Sequence, residues 1–154
     1  ISVQPANLYG VGDNFDLKSS HVLPALVKKF TLAKEKELRS VEIWGSGNQK
    51  REFLNVIDLA SAILFLLNKK IKHDYLNIGS GEQISIKELA MIIKKITGYK
   101  GRVFFNNDYP DGVKRRIVDT KLINKLGWKA KIKLKTGLNE YCSYYINKVM
   151  PKER

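Results

Sequence analysis

The residue best placed to do chemistry is His21, in Ser20-His21-Val22-Leu23-Pro24-Ala25-Leu26, which follows a turn containing Gly10 and Gly12 along the chain. An imidazole at the start of a helix can exchange protons near neutral pH, and the helix's amino end disfavours its charged form. A lone histidine there is more often structural or merely solvated, so the assignment depends on what surrounds it. Two further groupings supply candidates. Trp44-Gly45-Ser46-Gly47 is followed by Arg51-Glu52-Phe53. A tryptophan at a strand end can offer its face to a flat base or sugar, and an arginine can grip a phosphate in a planar, bidentate way. The plainer alternative is a core tryptophan and a surface arginine in a hairpin. Tyr109-Pro110-Asp111-Gly112 is a turn that leads into Lys114, Arg115 and Arg116. Alternate side chains of an extended segment face opposite ways, so one of the two arginines can enter a pocket while the other stays wet. A solvated charge run is the alternative here.

Some expected chemistry is missing from the sequence. Gly10-Val11-Gly12, Gly45-Ser46-Gly47 and Gly79-Ser80-Gly81 all lack the third glycine of a dinucleotide-binding loop, and each reads as a turn. Tyr144 and Lys148 have the spacing of a reductase pair, but they fall in the last helix with no cofactor fold before them. They read as chance on an amphipathic helix.

The elements that must position these groups alternate in type. Ser2–Pro5 reads as a strand end, and Asn7 to Asn14 as turn chemistry. Ser19 and Ser20 are N-cap candidates for a helix with Val22, Leu23, Leu26, Val27 and Phe30 on its apolar face. Val41 to Trp44 is a strand, with Arg51 to Val56 as its return arm. Asp58 opens an apolar helix to Leu67, and Tyr75 to Ile78 is a buried strand. Ser85 and Glu88 form a capping box for a helix to Ile96, which Gly98 stops. Arg102 to Phe105 is a strand, Asp119 caps a short helix to Leu126, and the last helix runs from Thr136 to about Val149. This alternation predicts an α/β fold.

The 154 residues suffice for one domain with a real core, and the apolar fraction of 44% suits a globular chain. No apolar run approaches the ~20 residues that span a bilayer, and no signal peptide is visible. The start at Ile1 reads as a cut inside a strand, and the chain as a piece of a longer protein. The single cysteine, Cys142, excludes an internal disulfide and reads as a plain buried thiol. The net charge of +13 raises the possibility of a polyanion partner, but the 28 basic residues are dispersed and mostly lysine. Such a surface serves solubility before nucleic-acid binding.

Taken in order, Pro-Ala-Asn-Leu-Tyr-Gly, Ser-His-Val-Leu-Pro-Ala-Leu, Trp-Gly-Ser-Gly, Arg-Glu-Phe-Leu, Asn-Ile-Gly-Ser-Gly, Pro-Asp-Gly and Leu-Gly-Trp resemble the C-terminal part of the GDP-L-fucose synthase family. That family consists of extended short-chain dehydrogenase/reductases of Rossmann type. The resemblance implies residues 1–10 as a remnant of the cofactor lobe and residues 11–154 as a nucleotide-sugar substrate domain. It implies epimerisation at C3 and C5 of GDP-4-keto-6-deoxy-mannose, then reduction at C4 by NADP(H). Pro5, Ala6, Asn7, Leu8 and His21 would lie at the nicotinamide end of the cofactor. His21 would be the epimerisation acid, partnered by a cysteine that this chain does not hold. Lys29, Trp44, Arg51, Asp111 and Arg116 would bind substrate, with Arg116 standing where a lysine is expected. The family's reductase residues and glycine-rich loop have no match here, which implies an inactive fragment. No metal is implied, nor a membrane or nucleic-acid partner. The implied location is cytoplasmic, with a homodimeric full-length protein and a monomeric fragment. Alternatives are another NAD(P)-dependent nucleotide-sugar epimerase or dehydratase, including a GDP-heptose relative, and a non-catalytic nucleotide or nucleic-acid binding module.

Overall fold

The computed structural model describes residues 1–153; Arg154, the last residue of the expected substrate domain, lies outside them. Among the described residues, eight strands and five α-helices are interspersed. Strands β1 (Ser2–Pro5) and β2 (Asn7–Tyr9) precede α1 (Val22–Glu35). Then come β3 (Ser40–Trp44), β4 (Lys50–Asn55), α2 (Val56–Leu67), β5 (Tyr75–Ile78), β6 (Gln83–Ser85) and α3 (Ile86–Thr97). Strands β7 (Arg102–Asn106) and β8 (Arg115–Arg116) lead to α4 (Lys121–Lys125) and α5 (Leu134–Tyr144). The strand pairs β1–β5, β2–β4, β3–β7 and β4–β8 are parallel, and β4–β6 is antiparallel. The α/β reading therefore holds.

Strand β4 organises the molecule. Its amino half is paired on both edges, with Lys50 and Arg51 opposite Ser85 and Ile84 of β6 and opposite Arg115 and Arg116 of β8. Its carboxyl half pairs with β2, Phe53 opposite Asn7 and Asn55 opposite Tyr9. Successive side chains of a strand face opposite ways, and β4 uses this to divide two cores. Phe53 joins the cluster of Phe30, Leu89, Ile93, Leu138 and Tyr141 between α1, α3 and α5. Leu54 joins Ala62, Leu76, Ile78, Ile123 and Trp128 beneath α2 and α4.

Local signals were accurate where they were strong. Ser85 accepts from the Glu88 N–H while the Glu88 carboxyl accepts from the Ser85 N–H, and Gly98 closes α3. A cap of this kind contributes about 1 kcal/mol. Cys142 is buried within the first core, and burial pushes its thiol up to about 12, so it stays protonated and inert.

Five expectations are corrected. Asn7–Tyr9 is a strand rather than part of the turn, because β4 supplies parallel partners. The residue at the N-cap of α1 is His21, not Ser19 or Ser20, and its side chain makes no capping bond. Ser19 is drawn into a preceding turn by Asp16, which accepts its hydroxyl at 2.9 Å. Strand β4 is not the return arm of β3: β3 pairs with β7 instead, Trp44 opposite Asn106. Asn55, not Asp58, caps α2 through the Ile57 N–H. Asp58 is buried and accepts from the Lys131 and Ile132 N–H groups at 3.1 and 2.9 Å. Finally, the last helix starts two residues early at Leu134, and after Tyr144 it widens into a π-helical segment, Tyr145–Val149.

Candidate functional site

The carboxyl ends of β1 and β8, the start of β2, the middle of β4 and the amino end of α1 converge on a cavity of about 750 Å³, within the range of small-molecule sites. Gln4, Pro5, Ala6, Asn7 and Leu8 form one wall, where the chain passes from β1 into β2. His21, Val22, Leu23 and Pro24 form another at the start of α1. Arg51 and Phe53, which share a face of β4, and Arg116, Ile117 and Val118 close the third. Asn7 is fixed by its side-chain N–H donating to the Glu52 carbonyl at 2.8 Å. His21 is exposed and free of a capping duty, so its ring is available to a ligand.

Arg51 and Arg116 are opposed across the β4–β8 pairing. With the positive end of α1 they make this an anion-attracting site. Arg51 Nη1 donates to the carbonyls of Lys50 at 2.9 Å and Val113 at 2.7 Å. Arg115, on the other side of β8, donates to Gln83 at 2.9 Å. The expected division of labour between the two arginines is thus present, with Arg116 the one that lines the cavity.

Lys29, Trp44 and Asp111 form a neighbouring cluster rather than cavity wall. Lys29 Nζ lies over the Trp44 ring, 5.3 Å from its centroid, and donates to the Glu42 carbonyl at 3.2 Å. Its half-buried position pushes the lysine pKa down, only partly offset by Glu42. Asp111 accepts from the Ser46 N–H at 2.7 Å, from the Ser46 hydroxyl at 2.6 Å and from the Gln49 side-chain amide. This close approach requires glycine at position 45, which has φ +80° and where a Cβ would fall 2.5 Å from Asp111 Oδ1. The two clusters meet where Arg51 takes the Val113 carbonyl, two residues beyond Asp111.

Hydrogen bonds from the Ser46 hydroxyl and N–H hold the Asp111 carboxyl below the usual 3.8. Because the folded-state pKa is depressed, the tether is present above that range and lost as pH falls through the lowered value. Acidification through that lowered value is therefore expected to free the loop 107–114 from the turn 45–49 and shift the emission of exposed Trp44. Asp111→Ala should show the acid-like spectrum already at pH 7. An Asp111→Ala spectrum identical to wild type at pH 7 would show that the carboxyl does not hold the loop.

Sequence reasoning missed Gln4, Asp13, Phe53, Ile117 and Val118 as lining residues. Asp13 read only as turn chemistry. It accepts from the buried Tyr141 hydroxyl at 2.7 Å, which secures the loop before α1 to α5. The Tyr144 hydroxyl accepts from the Gly12 N–H at 3.3 Å, and Lys148 is exposed. Among the described residues no group of three His, Cys, Asp or Glu is placed to hold a metal, and no helix is long and apolar enough to cross a membrane.

Parallel strands joined by helices give the α/β fold of the Rossmann-type extended short-chain dehydrogenase/reductases. The model of the NAD dependent epimerase/dehydratase family matches residues 1–79, and the chain belongs to that family. It is 42% identical over 154 residues to the "Probable GDP-L-fucose synthase 1" of Oryza sativa subsp. japonica, covering all of this chain and 47% of the relative. A solved GDP-6-OMe-4-keto-L-xylo-heptose reductase from C. jejuni is 35% identical with a TM-score of 0.85, covering 96% of this chain and 54% of that one. A GDP-L-fucose synthetase from Naegleria fowleri bound to NADP has a TM-score of 0.90 at 24% identity, over 97% of this chain and 47% of that one, which is a likeness of fold alone. The chain spans about half the length of the curated relatives it matches.

Proposed function

We propose that this chain is the sugar-nucleotide-binding part of an enzyme that converts GDP-4-keto-6-deoxy-mannose to GDP-fucose by C3/C5 epimerisation and NADP(H)-dependent C4 reduction. The observation that carries the reading is the joining of His21, Arg51 and Arg116 with residues 5–8 around one cavity, although they are far apart in sequence. Arg51 and Arg116 take the diphosphate, and Trp44, Lys29 and Asp111 form the adjoining substrate surface. Residues 5–8 and His21 border the nicotinamide end of the cofactor. The C4 ketone acidifies the neighbouring C–H bonds, so a base can remove a proton and His21 can return one on the opposite face.

In this reading residues 1–10 belong with a cofactor lobe and residues 11–154 form the substrate domain. The exposed apolar residues of α2, with Ile57 at 61%, Leu64 at 64% and Leu67 at 76% exposure, support a further lobe packing there. The full-length protein is then a cytoplasmic homodimer. The isolated chain is a monomer with no reductase activity, since its sequence holds no Gly-x-Gly-x-x-Gly loop. The likeness to a heptose reductase favours one alternative, a GDP-heptose substrate at the same cavity.

A calorimetric titration with GDP, UDP and single-stranded DNA at two salt concentrations tests the reading. GDP-selective binding is expected. Steeply salt-dependent DNA binding without nucleotide selectivity would replace it with a nucleic-acid module. NADPH oxidation by the isolated chain would overturn its division of labour.

A further inference from the structure

The loop that carries Asp111 also carries a ring to which none of the foregoing gives a task. Tyr109 lies flat on Trp44, with centroids 4.5 Å apart and planes 13° from parallel. Both rings are open to solvent, Trp44 at 59% and Tyr109 at 41% exposure. Their anchoring differs from that of their neighbours. Asp111 is held by three donors and Val113 by Arg51. The Tyr109 backbone makes one long bond, N–H to the Asn106 carbonyl at 3.4 Å, and its hydroxyl makes none among the described residues. Trp44 is fixed from below by its strand, opposite Asn106 in the β3–β7 pairing. The pair is therefore one fixed ring and one ring held mainly by stacking, on a loop pinned two and four residues further on.

We propose that Trp44 and Tyr109 form a slot for a nucleobase: the base enters between the rings, and Tyr109 lifts from Trp44 to close over its far face. Opening gives up one aromatic stack and gains two, and stacking on a base tolerates any flat π-face. The placement fits the cavity. From Tyr109 to Val113, whose carbonyl receives Arg51, the chain can span at most about 14 Å. A nucleoside diphosphate with its base in the slot can thus bring its phosphates to Arg51 and Arg116. The slot rests on the sugar-nucleotide reading above and adds a residue to it, one whose contribution is specific to the base.

Calorimetric titrations of this chain and its Tyr109→Ala and Tyr109→Phe variants with GDP, and with inorganic pyrophosphate, separate the two ideas. The slot predicts that Tyr109→Ala weakens GDP about tenfold and leaves pyrophosphate unchanged. Tyr109→Phe should bind GDP like wild type, because the ring and not the hydroxyl is used. If Tyr109→Ala binds GDP as well as wild type or more tightly, the slot is overturned while the phosphate site stands. Equal losses for GDP and pyrophosphate would reduce Tyr109 to support of the loop and also overturn the slot. Failure of the wild-type chain to bind either ligand would overturn both the slot and the reading on which it rests.

Discussion

Replacing Arg51 with alanine is expected to lower the affinity for GDP by about 10- to 100-fold, the loss that follows from removing charge-assisted hydrogen bonds of about 1.5–3 kcal/mol. The expectation rests on where β4 places the side chain. Arg51 and Phe53 lie on one face of the strand and both line the cavity, and the opposed Arg116 offers a second cation to the same ligand. Arg51 also holds the Val113 carbonyl, so its removal loosens the loop that carries Asp111 and Tyr109. Arg51→Lys keeps the charge but loses the planar fork, and should recover only part of the affinity. Arg115→Ala provides the contrast. Its side chain is directed to Gln83, so GDP affinity should change little. The measurement is calorimetry on variants whose thermal unfolding matches wild type. An affinity for Arg51→Ala within threefold of wild type would remove Arg51 from the phosphate site.

That contrast between Arg115 and Arg116 was legible in the sequence only as an either/or. Alternation along a strand says that the two side chains part ways. Which of them faces the cavity depends on β8 pairing with β4, and a two-residue strand has no sequence signal of its own. The capping box at Ser85 could be read directly because its bonds close within four residues. The partner of β3 could not. A Gly-rich turn between two apolar stretches suggests a hairpin, yet Trp44 pairs with Asn106, and β4 turns to β2, β6 and β8. Adjacency along the chain does not imply adjacency in space where parallel strands need long connections.

The candidate site divides the same way. His21, Arg51 and Arg116 could be nominated because their side chains carry chemistry at suggestive positions. Phe53, Ile117 and Val118 could not, since an apolar lining residue looks like any other core residue until the topology is known. Asp111 was nominated as a ligand group, and the structure gives its carboxyl three internal donors from the turn 45–49. Its visible work is holding the loop, a role that depends on a turn more than sixty residues away.

The site also depends on a residue that never touches it. Glu52 is only 1% exposed, on the face of β4 opposite Arg51. One carboxyl oxygen accepts from the Gly81 N–H at 2.8 Å, and the other from the Val118 N–H at 3.0 Å. Position 79 must be glycine for this, because a Cβ there would collide with Glu52 Oε1 and crowd Val118 and Thr120. Glu52→Ala orphans two buried donors, each costing about 1–3 kcal/mol, and is expected to destabilise the chain by roughly 2–6 kcal/mol. Glu52→Gln keeps the volume and one acceptor but turns an N–H toward the other donor, so it should cost less than alanine and more than a surface change. The damage should also reach the ligand, because Val118 is the inner anchor of the segment that carries Arg116 and Ile117 into the cavity wall. At a urea concentration where Glu52→Gln remains folded, its GDP affinity should therefore fall although Arg51 is untouched. Urea unfolding followed by circular dichroism gives the stability term through the midpoint at unchanged slope. A loss below about 1 kcal/mol for Glu52→Ala would mean that water replaces the carboxyl without penalty, and that the wall of the cavity is held by the β4–β8 pairing alone.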